Sequence, residues 1–535
     1  MPEFGMLNWT ILIVYVLANL LLGFILSKRV ATAEDFYLGR RTTPWWAIGI
    51  SVVATYVSAL SFLGAPAWSY TDGMSVAMIH MNYPLVIIIV ITLFLPFFYN
   101  SGCASIYEYQ ESRFGSKSRS TISGIFLVSH GIGAAAILYA TSLVLQFITG
   151  IDVIYAIVIV TVIALIYTTL GGITAVIWTD VIQAVILFVG AGIIFYALVQ
   201  QMPGSLNDTL VALKAQGMTN PLHFDFDLSH TTTVWAGVVA MTIYHVTVYG
   251  VNQMMAQRAL AAKNIGDAKK SYLMMGFASP FIYFSFVFLG ILFYAYYDGR
   301  EFENGNTIIL QFASEYGLPG LMGIIAAAVM AASMSTLDSS FNSMSTVTTV
   351  DFYQKYFRKD ESEVHYLKAT RWFTLMWAII IIVPAVLFSR TEGSILEVLS
   401  QVGSYFVGAK LAMYGMGFFS KHTTERGLLV GVVASFIAVW TIAGTTDIAW
   451  PWYCLIGAAA NIAVSWTASL ILDGRQEEWH PFSVPGQLKK FRDQNLKEKN
   501  DGWYVVPGRI DTMSYVLFGF FVLWMIGLYF FNALI

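Results

Sequence analysis

Fourteen apolar stretches alternate along this chain with shorter polar segments. An α-helix rises 1.5 Å per residue, so about twenty residues cross a hydrocarbon layer of about 30 Å. The stretches fall at 8–27, 44–67, 74–99, 121–147, 151–170, 176–200, 232–256, 271–296, 318–350, 371–389, 394–419, 427–444, 450–472 and 512–534. This pattern predicts an all-α polytopic membrane protein with about 14 transmembrane helices, because only helices and closed barrels satisfy their backbones in lipid. Glu3 precedes the first stretch and no small-residue cleavage site follows it, so it reads as a span rather than a cleaved signal. The longest polar stretch, 473–511, is too short for a folded module and reads as a basic, amphipathic cytoplasmic linker.

Composition narrows the class further. Only 11% of the 535 residues are charged, against roughly 25% in soluble chains. An aromatic content of 15% argues against disorder. With 29 Lys and Arg against 32 Asp and Glu, nothing favours a nucleic-acid partner. The two cysteines, Cys103 and Cys454, fall at opposite predicted faces and cannot pair. Positive residues set the orientation. The loops 28–43, 100–120, 257–270, 351–371, 420–426 and 473–511 hold 25 of the 29 Lys and Arg. Those loops are expected in the cytoplasm and both termini outside, at a plasma membrane or bacterial inner membrane. Lys214, Arg300 and Arg390 lie on the outward loops, and Lys410 lies within a span. Catalytic signatures are missing: there is no His-Glu-x-x-His and no Gly-x-Ser-x-Gly. The run from Gly403 to Gly408, followed by Ala409-Lys410, only imitates a phosphate loop inside a helix. The chain is not expected to be an enzyme.

Polar groups inside spans are costly, which makes each a functional candidate. The second span contains Ala54-Thr55-Tyr56-Val57-Ser58-Ala59-Leu60-Ser61 and ends Gly64-Ala65-Pro66. Such a run suits an interrupted helix whose freed carbonyls could hold a cation; small residues also allow tight helix packing. On the ninth span Ala332, Ser335, Thr336, Ser339, Asn342, Ser343 and Thr346 share one stripe at 100° per residue. Their hydroxyls and carbonyls suit a small hard cation, with interhelical hydrogen bonding as the plainer role. Asp338 lies well off the stripe and Ser340 at its margin. Asp180, near the predicted cytoplasmic start of the sixth span, could reach the stripe or simply complement a helix start. Lys410 lies about 15 Å from the inner end of its span, too deep to snorkel easily. It needs a carboxylate or water, and Asp338 or Asp180 is the expected ion-pair partner. His80 and His245 also fall within spans.

Several segments resemble the sodium/solute symporter family. They are Tyr167-Thr168-Thr169-Leu170-Gly171-Gly172-Ile173-Thr174-Ala175-Val176-Ile177-Trp178-Thr179-Asp180, then Asn252-Gln253 with Gln257-Arg258-Ala259-Leu260-Ala261-Ala262-Lys263, and Met334-Ser335-Thr336-Leu337. Ala104-Ser105-Ile106-Tyr107-Glu108-Tyr109, with Arg113-Phe114, is similar as well. The resemblance implies a LeuT-like 5+5 inverted-repeat core over 44–419, spans two to six matching seven to eleven. An extra helix at 1–30 would precede it, and peripheral helices at 427–535 would follow. It also implies a sodium site from the carbonyls of Ala54, Val57 and Ala332 with the hydroxyls of Ser335 and Thr336. A second sodium, present in some members, would fall near Asp180 with Ser339 and Ser340. Substrate positions at the helix breaks become Tyr56, Ser61, His80, His245 and Tyr249. Segments around Ser58 and Tyr249 most resemble the iodide, monocarboxylate and vitamin branch, while the run after Gln257 also resembles the sugar branch.

The expected function is sodium-coupled import of a small organic solute by alternating access, with two sodium ions and a preference for a small organic anion. Sodium is cargo here and not a prosthetic group. A sodium/sugar symporter is the alternative, followed by a sensor or channel on the same scaffold. Asp180 favours a second ion, because a buried carboxylate without a cation is costly.

Overall fold

The computed structural model describes residues 4–27, 32–101, 105–202, 204–316, 318–391 and 393–535. Cys103 and Ala104 lie outside the described residues. Among those residues nine helices are long and apolar enough to cross a membrane, with four shorter apolar helices beside them.

The chain opens with helix α1, Met6–Ser27. The second predicted span appears as two pieces, α2 (Trp45–Tyr56) and α3 (Ala65–Asp72), joined through a break at Val57 and Ser58 and a π-turn segment at Leu60–Gly64. Mixed 3-10, α and π turns carry 73–101 back across. Then come α4 (Ser116–Thr149) and α5 (Val153–Gln200). At 48 residues, α5 amounts to about 72 Å of helix, twice what one crossing needs. The predicted spans 151–170 and 176–200 are its two halves. They meet different neighbours: Leu165 and Ile166 line a groove with Lys368, Arg371 and Trp372, whereas Gly190 faces Ile324 and Ala328.

The seventh predicted span is broken like the second, into α6 (Met241–Gly250) and α7 (Gln253–Leu260). Asn252 caps α7 by accepting from Met254 N at 3.0 Å, which lets the helix restart after Val251. The core continues through α8 (Ile265–Tyr296), α9 (Leu321–Val347), α10 (Glu363–Ile380) and α11 (Ile395–Phe419). A broken helix therefore opens each set of five, as a LeuT-like architecture requires. Outside this set lie α12 (Glu425–Thr445), α13 (Tyr453–Asp473), α14 (Val484–Asp493) and α15 (Thr512–Leu534). Gly290 on α8 lets the α3 backbone approach closely, since a Cβ there would collide with Ser69 Oγ and Pro66 O. Ser69 Oγ instead donates across to Val287 O at 2.8 Å.

The loops sort into two ends. Backbone bridging joins Thr43 to Ala262, Lys355 pairs with Glu111 at 2.7 Å, and Arg113 donates to Ser420 O at 2.7 Å. Tyr109 reaches Phe482 O at 2.8 Å. All six basic loops thus meet at one end of the bundle. Both termini are tied to the other, through Asn8 with Gly323 and Asn532 with Thr219. Segment 473–511 departs from the expected plain linker. It forms α14 and a short hairpin, Lys499–Asn500 against Trp503–Tyr504. A buried Lys269–Asp511 pair at 2.6 Å anchors it. The segment is too small for a core of its own, and the basic end of the bundle supplies one.

Candidate functional site

The break after α2 frees acceptors that a continuous helix would use. Ser58 N donates to Tyr56 O and Ser61 N to Ser58 O, both at 3.0 Å. Neither amide takes the Ala54 or Val57 carbonyl, each four residues behind it. Opposite, on α9, Thr336 Oγ1 donates to Thr55 O at 2.8 Å and to Ala332 O at 3.2 Å. The expected oxygen ligands of the first sodium site therefore lie along one α2–α9 contact. The polar stripe of α9 faces inward as a whole, and every one of its seven residues is buried.

Asp180 is fully buried within α5 and gathers three helices around its carboxylate. Ser51 and Ser335 each donate to it, one to each oxygen, and Thr55 Oγ1 donates at 3.3 Å. Its cation is Arg258 from α7, with Nη2 at 3.0 Å. Arg258 is buried as well and also donates to Ser51 Oγ and Met254 O, both at 2.7 Å, and to Ser339 Oγ. This corrects the sequence reading, which counted Arg258 among the positive charges of a cytoplasmic loop. The helix restart at Asn252 carries Arg258 inward instead. Ser340 is not brought to Asp180; its hydroxyl bonds back to Thr336 O at 2.7 Å. Ser335, expected only at the first site, stands between the two.

A box of aromatic rings fills the space between the two breaks. Tyr56 lies within 5.6 Å of Tyr83 and of Tyr249, 5.9 Å of His245 and 6.3 Å of Tyr283, centroid to centroid. His80 stacks on Tyr283 at 3.7 Å. Ser61 Oγ and Tyr283 OH are 3.0 Å apart, and His245 Nδ1 is 3.0 Å from Asn82 Oδ1. The five expected substrate residues, Tyr56, Ser61, His80, His245 and Tyr249, therefore converge on one place, Tyr56 partly buried and the other four buried. His80 Nε2, Asn82 Nδ2 and Tyr249 OH are buried there without a hydrogen-bond partner among the described residues. Tyr244 and Trp450 approach from the end away from the basic loops, with Tyr244 OH fitting against Gly403.

Sequence reasoning missed Asn82, Tyr83 and Tyr283 in the box, and Ser51, Thr55 and Arg258 at the carboxylate. Tyr83 follows His80 by three residues, a same-face spacing that could have found it. Ser51, Thr55 and Ser58 likewise form a polar face on the second span. Tyr283 carries no local signal. The expected Lys410–Asp338 ion pair is also corrected. Lys410 Nζ donates to Ser129 Oγ on α4 at 3.1 Å, and no ion pair joins it to Asp338 among the described residues. The two residues project from α11 and α9 in different directions. Asp180, the other expected partner, is held by Arg258.

Comparison with known proteins follows the same lines. The model of the sodium:solute symporter family matches residues 36–435. The sodium/sialic acid symporter SiaT of Proteus mirabilis (strain HI4320) is 28% identical over 483 residues, 89% of this chain and 97% of that protein. The sodium-coupled monocarboxylate transporter 2 of Bos taurus is 29% identical over 78% of this chain and 69% of its own length. Among solved structures, a Na+-coupled sialic acid symporter in a substrate-bound outward-open state superposes with a TM-score of 0.80 at 26% identity. That match covers 89% of this chain and 100% of the other.

Proposed function

The chain belongs to the sodium:solute symporter family, and from that premise we propose that it imports a small organic anion together with two sodium ions. Sodium-coupled symport is the family's activity. The direction, the ion number and the solute are the parts proposed. The basic loops would face the cytoplasm and both termini the outside.

The observation that carries the two-ion reading is the pair of acceptor sets that meet at Ser335. One consists of the freed carbonyls of Ala54 and Val57, with Ala332 and the Thr336 hydroxyl. The other is the Asp180 carboxylate with its hydroxyls. Oxygen ligands of this kind suit sodium. In the present state Arg258 supplies the positive charge that Asp180 needs. A sodium ion arriving at Asp180 takes over that role and loosens α7 from α2. Ion binding is thereby linked to the helix that opens the second repeat. Such differential binding between states is what coupling requires.

The box supports the solute class. Asn82 Nδ2 and Tyr249 OH are donors that a carboxylate can accept from. Stacked rings such as His80 on Tyr283 favour a second reading, a neutral sugar lying flat against them.

Uptake into proteoliposomes tests both parts. The sodium Hill coefficient should approach two and fall towards one in Asp180→Asn, with sodium-dependent uptake still detectable. Thr336→Ala should uncouple solute from sodium. A wild-type coefficient of one, unchanged by Asp180→Asn, would leave a single ion. Uptake of labelled monocarboxylate competed only by sugars would favour the second reading.

A further inference from the structure

Midway through the bundle, α4 and α11 face each other across an ammonium group that no carboxylate pairs with among the described residues. Among the described residues, the hydrogen bond of Lys410 Nζ is the one to Ser129 Oγ at 3.1 Å. An ammonium has three N–H groups, so two remain to be satisfied. Beside it His130 lies flat on Phe126, 4.9 Å between centroids at 15°. The His130 Nε2 atom is buried and has no partner among the described residues. Ser129 Oγ spends its own proton on Phe126 O at 3.3 Å and so serves Lys410 as an acceptor.

The position matters as much as the chemistry. Counted at 1.5 Å per residue from the basic end, Lys410 sits at about 14 Å, Ser129 at about 20 Å and the Val57 break at about 18 Å. The cluster thus shares the depth of the helix breaks. It connects to the second break through two intermediaries: Phe126, under His130, packs on Tyr107 at 5.4 Å, and Tyr107 OH donates to Val251 O at 3.3 Å. An isolated cation at this depth is strongly disfavoured in an apolar surrounding. A hydroxyl does not neutralise it.

We propose that Lys410, Ser129 and His130 form a binding site for a monovalent anion, supplied either as the carboxylate of the transported solute or as a free halide. In the carboxylate case the proposal rests on the anionic-solute reading above and gives that solute a second station beside the aromatic box. In the halide case it stands without that reading.

The test uses the full chain in lipid nanodiscs at constant sodium, with methanesulfonate exchanged stepwise for chloride or for acetate. The readout is the thermal unfolding midpoint. Wild type should show a saturable shift with one of the two anions. Lys410→Met should weaken the apparent affinity about ten-fold or more, as loss of a charge-assisted hydrogen bond does. Lys410→Arg should retain it, and the sodium-induced shift should persist in both variants and report intact folding. Should Lys410→Met fail to fold, Ser129→Ala serves, with a loss of about three-fold. A chloride response alone identifies the halide source, and an acetate response alone identifies the solute's carboxylate. No saturable shift in wild type, or an unchanged one in Lys410→Met, overturns the proposal. Sugar uptake with the chloride response intact would remove the anionic-solute reading and leave this site standing. Carboxylate uptake with no Lys410-dependent response would do the reverse.

Discussion

The carboxylate cluster around Asp180 and the aromatic box both draw on the two broken helices, yet they are built on opposite principles. At Asp180 every partner is charged or hydroxylic, and both carboxylate oxygens accept hydrogen bonds. In the box rings predominate beside Ser61 and Asn82, and three buried polar atoms have no hydrogen-bond partner among the described residues. The first arrangement is complete in itself, so an ion entering it must compete with Arg258. The second is incomplete, so a solute entering it supplies what the protein lacks. Under the proposed function, coupling would draw on that contrast. One site holds the present arrangement together through protein contacts, and the other would gain its missing partners from a ligand.

The sharpest way to break the comparison is to remove one half of the buried pair. Arg258→Met leaves Asp180 buried without its cation, which should cost about 3–5 kcal/mol in the absence of sodium. The double variant Arg258→Met with Asp180→Asn should recover much of this, because no unpaired charge remains. Unfolding midpoints in nanodiscs, with and without sodium, measure both effects. Sodium should rescue Arg258→Met far more than wild type, since the ion then meets no competitor. If Arg258→Met costs no more than an exposed substitution, Asp180 is not held by Arg258.

The box should respond with the opposite sign. Tyr249→Phe removes a buried hydroxyl that has no hydrogen-bond partner among the described residues, and an unsatisfied buried group costs about 1–3 kcal/mol. The variant should therefore be slightly more stable than wild type, while the KM for solute rises about ten-fold through the lost hydrogen bond. A variant that is both less stable and unaltered in KM would mean that the hydroxyl is structural.

Lys410 and Asp338 offer a control on both regions. They do not touch, so the stability costs of Lys410→Met and Asp338→Asn should add within about 0.5 kcal/mol in a double-mutant cycle. A coupling of several kcal/mol would restore the ion pair that the sequence suggested.

What the sequence could disclose follows the same division. Span positions and the sidedness of loops were legible because apolar length and Lys/Arg placement act locally. The stripe on the ninth span was legible because seven polar or small residues at helical spacing exceed what packing needs. The break after Tyr56 announced itself in the small and hydroxylated run that ends at Pro66. Arg258 was not legible. It follows an apolar span and precedes Lys263, Lys269 and Lys270, and only the helix restart at Asn252 turns it inward. Tyr283 was equally silent, because one tyrosine among the many aromatics of its helix has no periodicity to distinguish it. The Lys410 partner failed for a related reason: spacing along each helix gives depth in the membrane but not which face meets which neighbour.

The smallest expected effect concerns closure at the basic end. There the short helix Glu108–Arg113 is held by Glu111, which meets Lys355 at 2.7 Å and Arg119 at 2.8 Å. Partial burial pushes the Glu111 carboxyl up, but hydrogen bonds from Lys355 and Arg119 outweigh it and hold the group below its ordinary value of 4.5. A carboxyl depressed in the folded state adds stability that is fully present above its unfolded pKa. That contribution is lost as the pH falls through the lower folded value. Glu111 is partly exposed, so water screens the pair and the gain is modest. Glu111→Gln should therefore lower the unfolding midpoint by about 1 °C at pH 7, and the difference from wild type should vanish in strong acid. Arg119 keeps its buried bond to Asp351 in both proteins, so the remaining acid sensitivity should be shared. A gap between wild type and Glu111→Gln that widens on acidification would mean that Glu111 is not the titrating member of this cluster.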